Sequence, residues 1–74
     1  MELVQVVAGE YETPDGEAML SVDNIGGIIS GFYEDKNNNI YDFEVIEDEV
    51  VWEERPVIES ERIEVREKIY DYIN

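Results

Sequence analysis

Seventy-four residues suffice for one hydrophobic core and exclude a second domain, since a chain of this size buries only about 60% of the surface its unfolded form exposes. Cysteine is absent, which excludes a disulfide framework and a thiolate metal site and fits a reducing, cytoplasmic compartment. Twenty Asp and Glu against five Lys and Arg give a formal net charge of -15, beyond the magnitude of about 2 to 8 that suffices for solubility, while 43% hydrophobic residues arranged with a period argue against disorder.

Met1-Glu2-Leu3 opens on an acid where a secretory leader carries bases, and no apolar run approaches the roughly 18 residues of a membrane span. The expectation is a soluble, complete domain over residues 1–74. Glu2 to Ala8 alternates as a first strand, with Leu3 and Val7 on one face and Val4, Val6 and Ala8 on the other, a pattern for burial on both sides. Thr13-Pro14-Asp15-Gly16 reads as the first hairpin turn, with Pro presetting φ and Gly supplying freedom. Ala18, Leu20 and Val22 share a face of the next strand, which stops at the breaker cluster Asp23-Asn24-Ile25-Gly26-Gly27. Ile28 to Glu34 resumes as strand, and Asp35-Lys36-Asn37-Asn38-Asn39 is a polar hairpin loop.

Beyond that loop Tyr41, Phe43 and Val45 alternate with Asp42 and Glu44, the clearest apolar-in, carboxylate-out pattern of the chain. Glu47-Asp48-Glu49 is a turn, Val50-Val51-Trp52 a short further strand, and Pro56, which cannot donate to a ladder, ends the segment. Ser60 is the expected N-cap of a helix to Ile73, with Ile63, Val65, Ile69, Tyr70 and Ile73 as its apolar stripe; the β-branched run Ile58 to Val65 also admits a strand. The expected fold class is α+β, a four- to five-stranded antiparallel meander with one C-terminal helix packed on one face.

Histidine is absent along with cysteine, so the commonest general base, the commonest metal ligand and the best nucleophile are all missing. Catalysis would rest on carboxylates, which need a desolvating cleft to raise one pKa, and a chain this small has little room for one. The expectation is a protein that is not an enzyme and carries no cofactor. Asp35, Asn37 and Asn39 resemble the opening of an EF-hand calcium loop, but Ile40 stands where that loop needs glycine and Ile46 where it needs a bidentate Glu. An Asx-rich turn accounts for the same residues, and no metal site is expected. Trp52 is either a core-edge residue or, ringed by Glu47, Asp48, Glu49, Glu53 and Glu54, the anchor of an interface with an acidic rim.

Charge is unevenly placed. Residues 1–35 carry eight acids and no base, residues 34–54 carry nine acids against Lys36, and Arg55, Arg62, Arg66 and Lys68 fall in the last twenty positions. Arg62 and Arg66 sit in or beside the apolar stripe, where their heads are expected to reach acids on the sheet and neutralise them. The uncompensated field then belongs to the sheet and its loops. So many like charges destabilise a compact chain, so a use for them is expected. Alternate residues on one strand face lie about 6.8 Å apart, close to the rise of two base steps of about 3.4 Å each. In size, charge and lack of catalytic groups the chain resembles in kind the acidic nucleic-acid mimics with which phages inhibit host enzymes, such as restriction inhibitors, uracil-DNA glycosylase inhibitors and some anti-CRISPR proteins.

That resemblance implies a non-catalytic inhibitor whose partner is a basic nucleic-acid-binding protein. The surface assigned to it from the residues comprises Glu34, Asp35, Asp42, Glu44, Glu47, Asp48, Glu49, Trp52, Glu53 and Glu54. Direct binding of nucleic acid or of an anionic membrane is disfavoured by a net charge of -15 with no basic stripe. The alternative is a small interaction module or accessory subunit that uses an apolar patch or a sheet edge; adaptation to high salt is a further explanation of the acidity.

Overall fold

The computed structural model describes every residue from Met1 to Asn74. Six strands follow one another, β1 (Val4–Val7), β2 (Glu10–Glu12), β3 (Met19–Ile25), β4 (Ile28–Glu34), β5 (Ile40–Ile46) and β6 (Glu49–Trp52), and α1 (Glu59–Ile73) ends the chain. They form one antiparallel sheet in the order β1-β2-β3-β4-β5-β6, so each strand pairs only with its neighbours in sequence. The α+β meander with a C-terminal helix is the expected one, with six strands where four to five were anticipated. The addition is β2: the chain already reverses at Ala8-Gly9, where Gly9 holds φ at +80°, and Glu10-Tyr11-Glu12 pairs with both β1 and β3 before the Thr13–Gly16 turn.

The other reversals follow from residue type. Gly26 and Gly27 both take positive φ, 61° and 87°, as a two-residue turn between directly paired Ile25 and Ile28 requires. The Asp35–Asn39 loop closes on itself, with Asp35 N–H donating to Asn39 O at 3.0 Å and Asn38 N–H to Asp35 O at 3.0 Å. Thr13 and Asp15 brace the β2–β3 connection: Thr13 Oγ1 donates to Asp15 Oδ1 at 2.7 Å, and Glu17 N–H to the same oxygen at 3.0 Å.

Register sorts the side chains onto two faces. Tyr11, Leu20, Val22, Tyr33 and Phe43 point to the side covered by α1 and, with Leu3, Ala18, Val65 and Ile69, make a core of 9 buried residues. Gly31 belongs to that face too: a Cβ there would meet Ser21 O at 1.9 Å and the Phe43 ring at 3.0 Å, so the strands approach closely only because it is glycine. Val65 and Ile69, one turn apart on α1, are fully buried. Two polar contacts fix the helix over the sheet: Leu3 N–H donates to Glu64 Oε2 at 2.8 Å, and the Tyr33 hydroxyl donates to Glu61 Oε1.

Two local expectations are corrected. The helix begins at Glu59 with Ile58 as N-cap, and Ser60 stands inside the first turn. Arg62 organises this end, its Nη1 donating to the carbonyls of Pro56 at 2.6 Å and Val57 at 2.9 Å, and so ties the approach segment to the helix. β1 is not buried on both sides: it is an edge strand, its register shifts between Gln5 and Val7, and Val4, Val6 and Val7 are about half exposed, leaving Leu3, just before the strand, as the one core residue of this segment.

Candidate functional site

The face of the sheet away from α1 is uncovered. Its residues, read from the pairing, are Val4, Glu12, Met19, Glu34 and Ile40 in one row; Glu10, Ser21, Phe32 and Asp42 in the next; then Asp23, Ser30, Glu44 and Val51; and finally Ile25, Ile28, Ile46 and Glu49. Every acid of the six strands, Glu10, Glu12, Asp23, Glu34, Asp42, Glu44 and Glu49, lies on this face. No strand carries a base. The segregation follows from alternation: the apolar set must face the helix, so carboxylates that alternate with it must face away.

The acids form two lines. Glu34, Asp42, Glu44 and Glu49 descend diagonally across β4, β5 and β6 in steps of about 7 to 8 Å by standard strand spacings. Glu12, Glu10 and Asp23 run alongside on β2 and β3, two to three strands away, or about 10 to 14 Å. Met19, Ser21, Phe32 and Ser30 lie between the lines. A shallow groove of about 310 Å³ along the β5–β6 pairing is lined by Asp42, Glu44, Ile46, Val51 and Glu53 among others.

The sequence-assigned residues are therefore only partly brought together. Glu34, Asp42, Glu44 and Glu49 share the open face, and Glu47 and Asp48 extend it as the exposed tip of the β5–β6 hairpin. Both tip residues hold positive φ, 52° and 64°, conformations that favour glycine or asparagine, so a strained turn presents two adjacent carboxylates. Glu53 and Glu54 follow β6 and are exposed.

Asp35 stands apart. It is buried, and its carboxylate is taken up within its own loop, Oδ1 accepting from Asn37 N–H and Asn39 N–H at 2.9 Å each and Oδ2 from Asn39 Nδ2 at 3.1 Å. Burial alone would raise its pKa, but the hydrogen bonds from Asn39 and Asn37 prevail and hold it below the ordinary aspartate value. Asp35 shapes the hairpin that carries Glu34 and does not display a charge. Glu10, Glu12 and Asp23 were missed from the sequence. Outward alternation from Met19 to Asp23 was the available signal for Asp23, whereas Glu10 and Glu12 fall in a three-residue strand left unassigned from sequence, between the first strand and the Thr13–Gly16 turn.

Trp52 is on the opposite face. It pairs with Phe43, its ring edge-to-face on the Phe43 ring with centroids 5.4 Å apart, and it is half-buried at the margin of the core. Of the acids expected around it, Glu53, with Asp42 and Glu44, shares the β5–β6 groove that Trp52 also borders, while on its other side Arg55, Arg62 and Arg66 line a cleft with Val50. Nor do these arginines neutralise sheet acids as expected, because those acids are on the far face; the molecule's one ion pair is Lys68 with Glu64 at 4.0 Å. Another cleft, of about 380 Å³, lies where Met1, Pro14, Ala18 and Ile58 meet Tyr33 and Glu61. Burial and then the hydrogen bond to Glu61 push the Tyr33 phenol far above its ordinary value, so it stays a proton donor.

No group of three or more carboxylates is arranged to hold a metal ion, and no helix is long and apolar enough to cross a membrane. No protein-family model matches the chain, and neither does any curated protein or solved structure.

Proposed function

We propose that this protein is a non-catalytic acidic binding protein whose open sheet face imitates the phosphate lines of a nucleic acid and so occupies the groove of a basic nucleic-acid-binding protein. The observation that carries the reading is the placement of all seven strand acids on the one uncovered face, with no base among them. Two carboxylate lines about 10 to 14 Å apart span a distance of the order of the major-groove width of about 12 Å. A groove lined with Lys and Arg would meet them by long-range attraction and by charge-assisted hydrogen bonds. An inhibitor of the anti-restriction or anti-CRISPR kind, acting in a bacterial cytoplasm, is the form of this function that the composition suggests.

One observation favours a second reading. Ile25, Ile28 and Ile46 are 74%, 59% and 49% exposed and adjoin at the end of the open face. An interaction module would use such an apolar patch, or the edge of β1, as its contact.

One experiment separates the two. The partner is captured on immobilised protein from a bacterial lysate, and its binding is then competed with its own DNA or RNA. The mimic reading expects mutual exclusion, association that slows as salt rises, and loss of binding on reversing Asp42, Glu44, Glu47 and Glu49 to Lys. Binding that survives this reversal and tolerates nucleic acid in the same complex would overturn it in favour of the apolar patch.

A further inference from the structure

On one side of Trp52 the charge of the molecule inverts. All three arginines of the chain converge there: Arg55 just after β6, and Arg62 and Arg66 one turn apart on α1, line a single cleft of about 190 Å³ whose wall is completed by Val50 and Trp52. In a chain with twenty carboxylates, none of them pairs with any of the three guanidinium groups, since the only ion pair formed involves Lys68 and Glu64. Arg62 is held in place by the Pro56 and Val57 carbonyls, while the Arg55 and Arg66 side chains make no hydrogen bond within the chain.

We propose that this cleft binds a phosphate dianion, free or as the terminal group of a monoester. Three positive charges without a counter-charge repel one another unless an anion lies between them. The guanidinium fork matches oxyanions, and a phosphate offers three terminal oxygens for three forks where a carboxylate offers two. The cleft, of about 190 Å³, is large enough for one such group with a small substituent. Val50 and Trp52 keep one side of the cleft apolar, which strengthens the attraction relative to open water. The strand acids are on the opposite face, and their field is screened within about 10 Å at 0.1 M salt; the acids nearest in sequence, Glu53, Glu54, Glu61 and Glu67, form no ion pair with the arginines. The arginines that form the site do not belong to the acidic face, and Trp52 borders both.

Trp52 is the only tryptophan, so its fluorescence reports on the cleft directly. Titration with sodium phosphate, at ionic strength held constant with chloride, is expected to give a saturable change, with acetate at least tenfold weaker. Arg55→Gln with Arg66→Gln, which leaves the Arg62 brace intact, is expected to weaken phosphate binding at least tenfold. If that variant does not fold, Arg55→Lys with Arg66→Lys keeps the charge but removes the forks, and binding is expected to fall severalfold. Phenyl phosphate binding more tightly than inorganic phosphate assigns the site to a monoester, and the reverse order assigns it to the free ion. A response no different from that to chloride, acetate binding as tightly as phosphate, unchanged affinity in a folded variant, or a phosphorus NMR signal of inorganic phosphate left unbroadened by the wild-type protein would each overturn the proposal.

Discussion

The two faces of the sheet are made by the same strands and obey opposite rules. On the covered face, Leu20, Tyr33, Val65 and Ile69 are fully buried and the polar groups at its rim are matched, Tyr33 to Glu61 and the Leu3 amide to Glu64. On the open face, carboxylates alternate with exposed Ile and Val and with half-buried Phe32 and Met19, and nothing within the chain neutralises them. Stability is concentrated on one side, and the unpaired charge of the strands on the other. A sheet with one face spared from holding the fold is free to present a surface selected for something else.

The largest expected effect tests whether the covered face alone carries the fold. Ile69→Ala removes a fully buried side chain at the helix–sheet contact, and a loss of about 2 to 5 kcal/mol is expected. Ile28→Ala, at a residue 59% exposed on the open face, is expected to stay within about 0.5 kcal/mol. Urea denaturation of the two variants measures both. Similar losses would mean that the open face is packed in solution, by self-association or otherwise, and the contrast would fail.

A smaller effect is expected in alkali. Burial, with the Asp71 charge for Tyr11, the Glu61 hydrogen bond for Tyr33 and the Asp35 charge for Tyr41, raises these three phenols above their ordinary value of 10.0. A raised pKa in the folded state stabilises fully below the unfolded value and is lost as pH climbs past it, because only the unfolded chain then gains by losing the proton. Stability is therefore expected to hold to about pH 10 and fall above it. Phenolate absorbance should lag in the native protein and appear together with unfolding. Tyr33→Phe, which removes the donor to Glu61, is expected to cost about 1.5 to 3 kcal/mol in neutral solution.

Much of this division was legible in the residues. Tyr41, Phe43 and Val45 against Asp42 and Glu44 already placed aromatics and carboxylates on opposite faces, and Gly26-Gly27 and the Asp35–Asn39 loop marked two of the reversals. β2 was not legible, because three residues carry too little periodicity to separate a strand from the turns on either side. The N-cap was misplaced at Ser60 because the helix start is organised by a side chain inside the helix, Arg62 reaching back to Pro56 and Val57. The arginine partners were misjudged for a reason that the alternation itself contains. If apolar residues face the helix, sheet acids face away from it, and arginines on the helix cannot reach them.

The smallest expected effect is the one that bears most on function. Asp42→Asn with Glu44→Gln removes two exposed charges from the centre of the longer acidic line, whose strand partners are Phe32, Ser30 and Val51 and include no base. Repulsion among the acids opposes the compact state, so neutralising these two is expected to leave stability unchanged or raise it by up to about 0.5 kcal/mol. The gain should shrink as salt is added, because screening already removes much of the same repulsion within about 10 Å at 0.1 M. Thermal melts of the wild type and the double variant at low and moderate salt measure both trends. A wild-type melting temperature that falls as salt rises, or a loss of more than about 1 kcal/mol in the variant, would show that these carboxylates belong to native ion pairs and contribute to the fold. Stability kept or gained on neutralisation, together with loss of partner binding, would mean that the acids are maintained at a cost to the folded state for a use outside it.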